Sequence, residues 1–555
     1  MKKSRLKNKK IMNKSTLGLV IVSIFVAMTF TGCIGQEKKC VLRIGHDHKL
    51  GLMDPARFTW NSDHAIISNI YSYMIGFEPG TFNMVGDLAK EVPSVENGLI
   101  SPNGLTITFE IRIGIKWHPG IPGTPYAGKD YGEVTAHDVV YTIERLKGMH
   151  DLAPHEVIYG AAFKNIEKVE AVDNYTVIFH LHQFDVGLLW NLAPYRNGAI
   201  INKQAIEDYG EEYWKYPIGS GPFKFVSWTS SNEFVIIKHN DYYRTEPWLD
   251  QIIYIPYANE IDRYNALTSD EIDICSPETL ELWLMANRNH DIEIAARLGL
   301  KTVGLSFNFE WMAPDGRKPL ADVRVRRALA YATNKMEIAD QLLGGIHTEA
   351  VGLLNSNYVG SIKKEDLPSE YLYPYNITKA KILLAEAGYP YGINLIFHGM
   401  NLPNYEVISL LLKKQWERAN IHLRIELEEM SDWTKRMFID ADYCVGWLIL
   451  SPRPPEPLGV FKTMFHSVSE TFGLNYAKYS NPETDTLIDQ AAVTLDENTR
   501  YDFYKQIQIN IMRDLPTYPL WWETTFFVHQ KTVKNIYVDL FHAYGDWMEE
   551  AIIEE

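Results

Sequence analysis

The chain has one strongly apolar run, the fourteen uncharged residues from Leu17 to Phe30. A helix that crosses a bilayer needs about 20 apolar residues, so this run is a poor anchor and no later stretch approaches that length. Everything downstream must therefore bury its apolar side chains in its own cores. Lys2, Lys3, Arg5, Lys7, Lys9, Lys10 and Lys14 precede the run without an acid among them, and small residues follow it. Basic, then apolar, then small is the layout of a secretory signal peptide, here residues 1–32.

Phe30-Thr31-Gly32-Cys33 resembles a lipobox, in which the signal is cut before the cysteine and that cysteine carries lipid. Cys33 is then the expected lipidation site and 33–40 a lipidated cysteine with its tether, which reaches no more than about 25 Å. The expected location is the outer face of the cytoplasmic membrane, extracellular or periplasmic. Losing the seven basic residues of the signal takes the formal charge from −16 to −23. So acidic a surface repels phosphate backbones, and nucleic acid is not an expected partner. A length of 555 residues implies two to four lobes. Cys40, Cys275 and Cys444 lack the short spacings of a disulfide framework or a zinc site. They read as small buried hydrophobes, with a single Cys275 to Cys444 bridge as the alternative.

Strand and helix patterns interleave along the mature length without a repeat. In "TITFEIRIGIKW" Ile107, Phe109, Ile111, Ile113, Ile115 and Trp117 share one face of an expected strand. Pro102-Asn103-Gly104 supplies a hairpin turn before it. "TAHDVVYTIERLKG" predicts a helix with Thr135 as N-cap and Gly148 as stop. "LADVRVRRALAYATNK" places Val325, Ala328, Leu329 and Ala332 on one helical face, with Arg324 and Arg327 largely off it. "NITKAKILLAEAGY" predicts a helix capped by Asn376 or Thr378 and ended by Gly388. "LLKKQWERANIHLRIEL" reads as a helix that breaks near Asn420 and continues as a strand. Interleaving of this kind implies α/β lobes. Between Trp117-His118 and Thr135 an insertion rich in Gly, Pro and Tyr reads as a surface loop.

The succession of blocks resembles the extracellular solute-binding protein family 5 of ATP-binding-cassette importers, which includes dipeptide, oligopeptide and nickel receptors. "LMDPA" at 52–56, "ITFEIRIGIKWHPG", "TAHDVVYTIERL", "PIGSGPFKFVSW" at 217–228, "NDYYRTEPWLDQI" at 240–252, "DEIDI" at 270–274 and "YSNPETDTLIDQA" carry the likeness in family order. It covers essentially everything from Val41 to the C-terminus. The resemblance implies an α/β, two-lobed periplasmic-binding-protein-like fold (type II, cluster C) with an extra third domain. Residues 41–77, 201–301 and 521–555 would form lobe I, 78–200 the extra domain and 302–520 lobe II, with hinge closure on a ligand.

Peptide-binding relatives carry an aspartate three residues after a Gly-Trp pair, where it meets the peptide's amino terminus; in "CVGWLILSPRPPEP" that position is Leu450. A buried ammonium without its partner costs several kcal/mol. Either another acid replaces it, with Glu523 of "PLWWET" and Asp47 of "GHDHK" as candidates, or the ligand has no free amino terminus. Arg453 favours a carboxylate or phosphate on the ligand. Trp447, Trp521 and Trp522 can stack on sugar rings or on peptide side chains. His46 and His48 lie two apart, so an extended strand puts both rings on one face and permits chelation of nickel or zinc.

The chain contains no Gly-x-Ser-x-Gly, His-Glu-x-x-His or Gly-x-x-x-x-Gly-Lys motif. A secreted hydrolase is therefore the less favoured class, and no catalytic residue or cofactor is expected. The function expected is that of a lipid-anchored, monomeric receptor that captures a peptide, or failing that an oligosaccharide or a metal chelate. It would hand that ligand to a permease driven by ATPase subunits.

Overall fold

The computed structural model describes residues 39–554 apart from 48–49, 59–60, 159, 195–197, 230, 278, 343, 451–453, 469–473 and 539–546. The signal peptide, Cys33, most of the tether, His48 and Arg453 lie outside the described residues. Among the described residues no helix is long and apolar enough to cross a membrane.

Strand β1 (Val41–His46) opens the folded chain with Leu42 and Ile44 fully buried. β2 (Thr106–Glu110), β3 (Ile166–Ala171) and β4 (Thr176–Leu181) form a separate antiparallel sheet in the order β2-β4-β3. Ile107 faces Phe179 and Phe109 faces Val177 across it, and alternate residues fill one apolar layer. The expected long strand is cut short here. It ends at Glu110, and the chain turns through Gly114 at φ +86. Ile111, Ile115 and Trp117 still reach the core, but Ile113 falls on the turn and is 69% exposed.

Helix α1 (Ala136–Leu146) starts as expected: the Asp138 carboxylate accepts the Thr135 backbone N–H at 2.9 Å in a capping box, and Gly148 leaves the helix at φ +76. The insertion before it is exposed around Gly123 but is pinned. Its Ile121 N–H donates to the Tyr209 hydroxyl at 3.2 Å, and Lys129 and Tyr131 both meet Asp208.

β5 (Phe223–Trp228), β6 (Phe234–Lys238), β7 (Gln251–Pro256), β8 (Ile274–Cys275) and the sixteen-residue β9 (Ile292–Phe307) follow. Next come α2 (Val323–Tyr331), β10 (Thr348–Glu349), α3 (Ile377–Glu386), β11 (Ile393–Met400), α4 (Pro403–Glu417), β12 (Ile421–Glu428), β13 (Val445–Leu450) and β14 (Thr517–Gln530). The large sheet runs β12-β11-β13-β9-β14-β8-β1-β7-β6-β5, with β10 also on β14.

β9 and β14 pair antiparallel along most of their length and hold the two halves of this sheet together. The 302–307 end of β9 carries β13, whereas the 528–529 end of β14 carries β8 and, through it, β1. The helices fit their sequence patterns: Val325, Ala328, Leu329 and Ala332 are fully buried, Asn376 caps α3, and Asn420 at φ +61 separates α4 from β12. Periodicity gave no hint of Arg326. It is 3% exposed, donates to the carbonyls of Leu320 and Asp514, and sits 3.9 Å from the Phe309 ring centre. Cys275 and Cys444 are free buried thiols, both pushed up to about 12 by burial, so no bridge joins them.

Candidate functional site

The register between β9 and β14 slips between Leu298 and Thr302. An isolated glycine in a strand is the usual mark of such a bulge, and Gly299 is required: a Cβ there would lie 2.5 Å from Thr525 Oγ1 and 3.0 Å from the Glu523 carbonyl oxygen. The slip leaves backbone carbonyls without ladder partners, and buried carbonyls must find others. The segment 353–358 supplies them. Asn357 donates to Leu298 O at 2.6 Å, Asn355 to Gly299 O at 2.7 Å and Tyr358 to Leu300 O at 2.9 Å, while Thr302 returns a bond to Leu353 O.

So held, the bulge presents Lys301 to Glu523, with Nζ 2.8 Å from one carboxylate oxygen and 3.1 Å from the other. The side chains are 28% and 31% exposed. Burial alone would lower the lysine, but the charge of Glu523 and the hydroxyl of Tyr405 outweigh it and hold the ammonium above its ordinary range. Tyr405, near the start of α4, is itself raised by burial. Its ring centre is 5.3 Å from that of Trp447.

Trp447 on β13 is fully buried, edge-on to Phe397 at 5.1 Å and to Trp521 at 6.1 Å. Trp521 and Trp522 pair with Glu349 and Thr348 of β10, and the Trp522 indole N–H donates to Gly352 O at 3.2 Å. Just before β10, His347 Nδ1 accepts the Thr524 N–H at 3.1 Å; burial pushes this imidazole down to about 4 despite the nearby Glu523 carboxylate. The result is an aromatic floor beside a balanced ion pair, built where the two halves of the sheet join.

Three of the residues singled out in the sequence, Trp447, Trp521 and Glu523, are thus brought together on one face, whereas Trp522, next to Trp521 along the strand, points to the other. Leu450 is 1% exposed, opposite Thr302, and shares that other face with Trp522. His46, at 2% exposure, ends β1, and the exposed Asp47 follows it. Register through β8 puts them level with Phe527, two strands from β14. Among the described residues no three His, Cys, Asp or Glu side chains are grouped to hold a metal ion. Lys301, Tyr405 and His347 were not found from sequence; Gly299 within "AARLGLKTVG" was the available signal for the first of them. A cavity of about 420 Å³ that none of these site residues lines opens between residues 161–191 and 454–492, with Lys164, Asp185, Glu456 and Lys462 in its lining.

Two half-sheets sharing two long strands, with an aromatic site at the junction, define a two-lobed binding protein of the periplasmic type. HbpA2 of Haemophilus parasuis has this fold at a TM-score of 0.81 and 22% identity over 93% of this chain and 100% of its own. DppA of Helicobacter pylori, in complex with the peptide STSA, has it at 0.72 and 24% over 93% and 98%. The chain belongs to the bacterial extracellular solute-binding proteins, family 5, whose family model ("family 5 Middle") matches residues 83–472. It is 27% identical to the dipeptide-binding protein of Escherichia coli K12 over 94% of this chain and 95% of that one. It is also 25% identical to the glutathione-binding protein GsiB of the same strain over 94% and 96%.

Proposed function

We propose that this chain is the lipid-anchored receptor of an ATP-binding-cassette importer, capturing a short peptide outside the cell and delivering it to a membrane permease. The observation that carries this reading is the end-to-end similarity to a dipeptide-binding protein. The aromatic floor of Trp447 and Trp521, with Trp522 on the reverse of the strand, supports it chemically, because such faces take peptide side chains. In this reading 41–77, 201–301 and 521–555 form one lobe, 302–520 the other and 78–200 an added domain. Closure bends β9 and β14 near the Gly299 bulge, and Cys33 carries the lipid. The receptor supplies selective binding and closure while partner subunits hydrolyse ATP.

Native mass spectrometry of gently purified protein, before and after unfolding and refolding, tests the proposal. A bound mass that is lost on refolding and resolves into amino-acid increments is the expected result. Hexose increments or a metal isotope pattern would overturn the peptide assignment.

A further inference from the structure

We infer that the inner end of this site receives a hydrogen-bond-accepting, uncharged group of the ligand, and that the receptor therefore prefers peptides with a blocked amino terminus over peptides with a free ammonium. The inference rests on the peptide reading above and specifies its ligand class. It is built from donors. The indole N–H groups of Trp447 and Trp521 are buried and have no hydrogen-bond partner among the described residues. An indole can only donate, and buried donors are nearly always satisfied, so a bound ligand that accepts from them completes the site.

His347 adds a third donor. Because its Nδ1 accepts the Thr524 N–H, and because its imidazole is neutral above about pH 4, the ring hydrogen is on Nε2.

Charge points the same way. Two acids belong to this cluster: Glu523 is held by Lys301 at 2.8 Å, and Glu349, paired with Trp521 in register, is exposed to solvent. A ligand ammonium carries only donors. At the buried indoles it would face N–H groups and sit close to the Lys301 ammonium, with the Glu523 carboxylate already neutralised and Glu349 out in solvent. An acyl carbonyl at the same place would accept from the indoles and leave the ion pair intact.

The test is competition on the purified protein, read by native mass spectrometry. The probe is an equimolar pool of synthetic di- to pentapeptides in free-amine and N-acetyl forms, distinguished by the acetyl mass. We expect N-acetyl forms to be retained about tenfold over their free-amine counterparts. Retention of free-amine forms equally or better overturns this inference alone, and retention of neither form overturns it together with the peptide reading.

Two variants check the cause. Lys301→Met releases Glu523 and should move the ratio toward free-amine peptides by about tenfold; an unmoved ratio counts against the charge argument. Trp521→Phe keeps a ring but removes the N–H, and should weaken N-acetyl peptides by about threefold or more. Undiminished retention would show that the indole is not the donor.

Discussion

Glu456 lines the cavity between residues 161–191 and 454–492, and its side chain is only 5% exposed. One carboxylate oxygen accepts from the Tyr504 hydroxyl and, at 3.4 Å, from the Leu458 N–H; the other is 3.8 Å from Arg500 Nε. Burial outweighs these partners and pushes the acid from 4.5 up to about 7. A proton bound more tightly in the folded state stabilises it fully below about pH 4.5, and that contribution is lost as pH rises through about 7. At about 1.4 kcal/mol per pH unit the whole displacement is worth about 3 kcal/mol. Glu456→Gln keeps the acceptor and cannot ionise. It should match wild type near pH 4.5, apart from a constant offset for an amide beside Arg500, and gain by about 3 kcal/mol at pH 8.5. With an unfolding entropy of about 2 cal/mol/K per residue, that gain is about 3 °C in Tm. Differential scanning calorimetry of both proteins from pH 4.5 to 8.5 reads the difference directly. The subtraction removes other titrating groups, such as Asp138, raised to about 6, and His239, lowered to about 4. A Tm difference that does not change with pH would refute the reasoning.

Arg145 and Asp54 are each 2% exposed and joined by two hydrogen bonds of 2.7 and 2.8 Å. Arg145→Met should cost about 3–5 kcal/mol in urea unfolding by stranding the buried carboxylate, and adding Asp54→Leu should recover most of it. Gly299→Ala should cost about 1–3 kcal/mol and weaken ligand retention in the mass spectrometer, because its Cβ would collide with the Glu523 carbonyl oxygen and Thr525 Oγ1. His239, ring to ring with His118 at 4.8 Å, is depressed to about 4 by burial. Its contribution is full above about pH 6.5 and lost as pH falls toward 4, so His239→Leu should flatten the acid limb of a Tm against pH curve.

What the sequence disclosed follows from the range of the interactions. Thr135, Asn376, Gly388 and Asn420 act within a turn of themselves, so capping chemistry and glycine preference placed them correctly. Ile113 escaped because alternation assumes an unbroken strand, and the turn at Gly114 was not visible against five matching residues. The candidate site shows the same limit more sharply. Trp447, Trp521 and Trp522 could be named by type and by block, yet nothing local ties Lys301 to Glu523, 222 residues away. Their pairing exists only because β9 slips against β14 and the side chains of Asn355, Asn357 and Tyr358 satisfy the carbonyls that the slip exposes. That pairing also changes what Glu523 can do. Read alone, a glutamate after two tryptophans is an acid available to a ligand's amino terminus; held at 2.8 Å by Lys301, it is half of a neutral pair. A residue's identity was legible, but its charge toward a ligand is a property of the assembled strands.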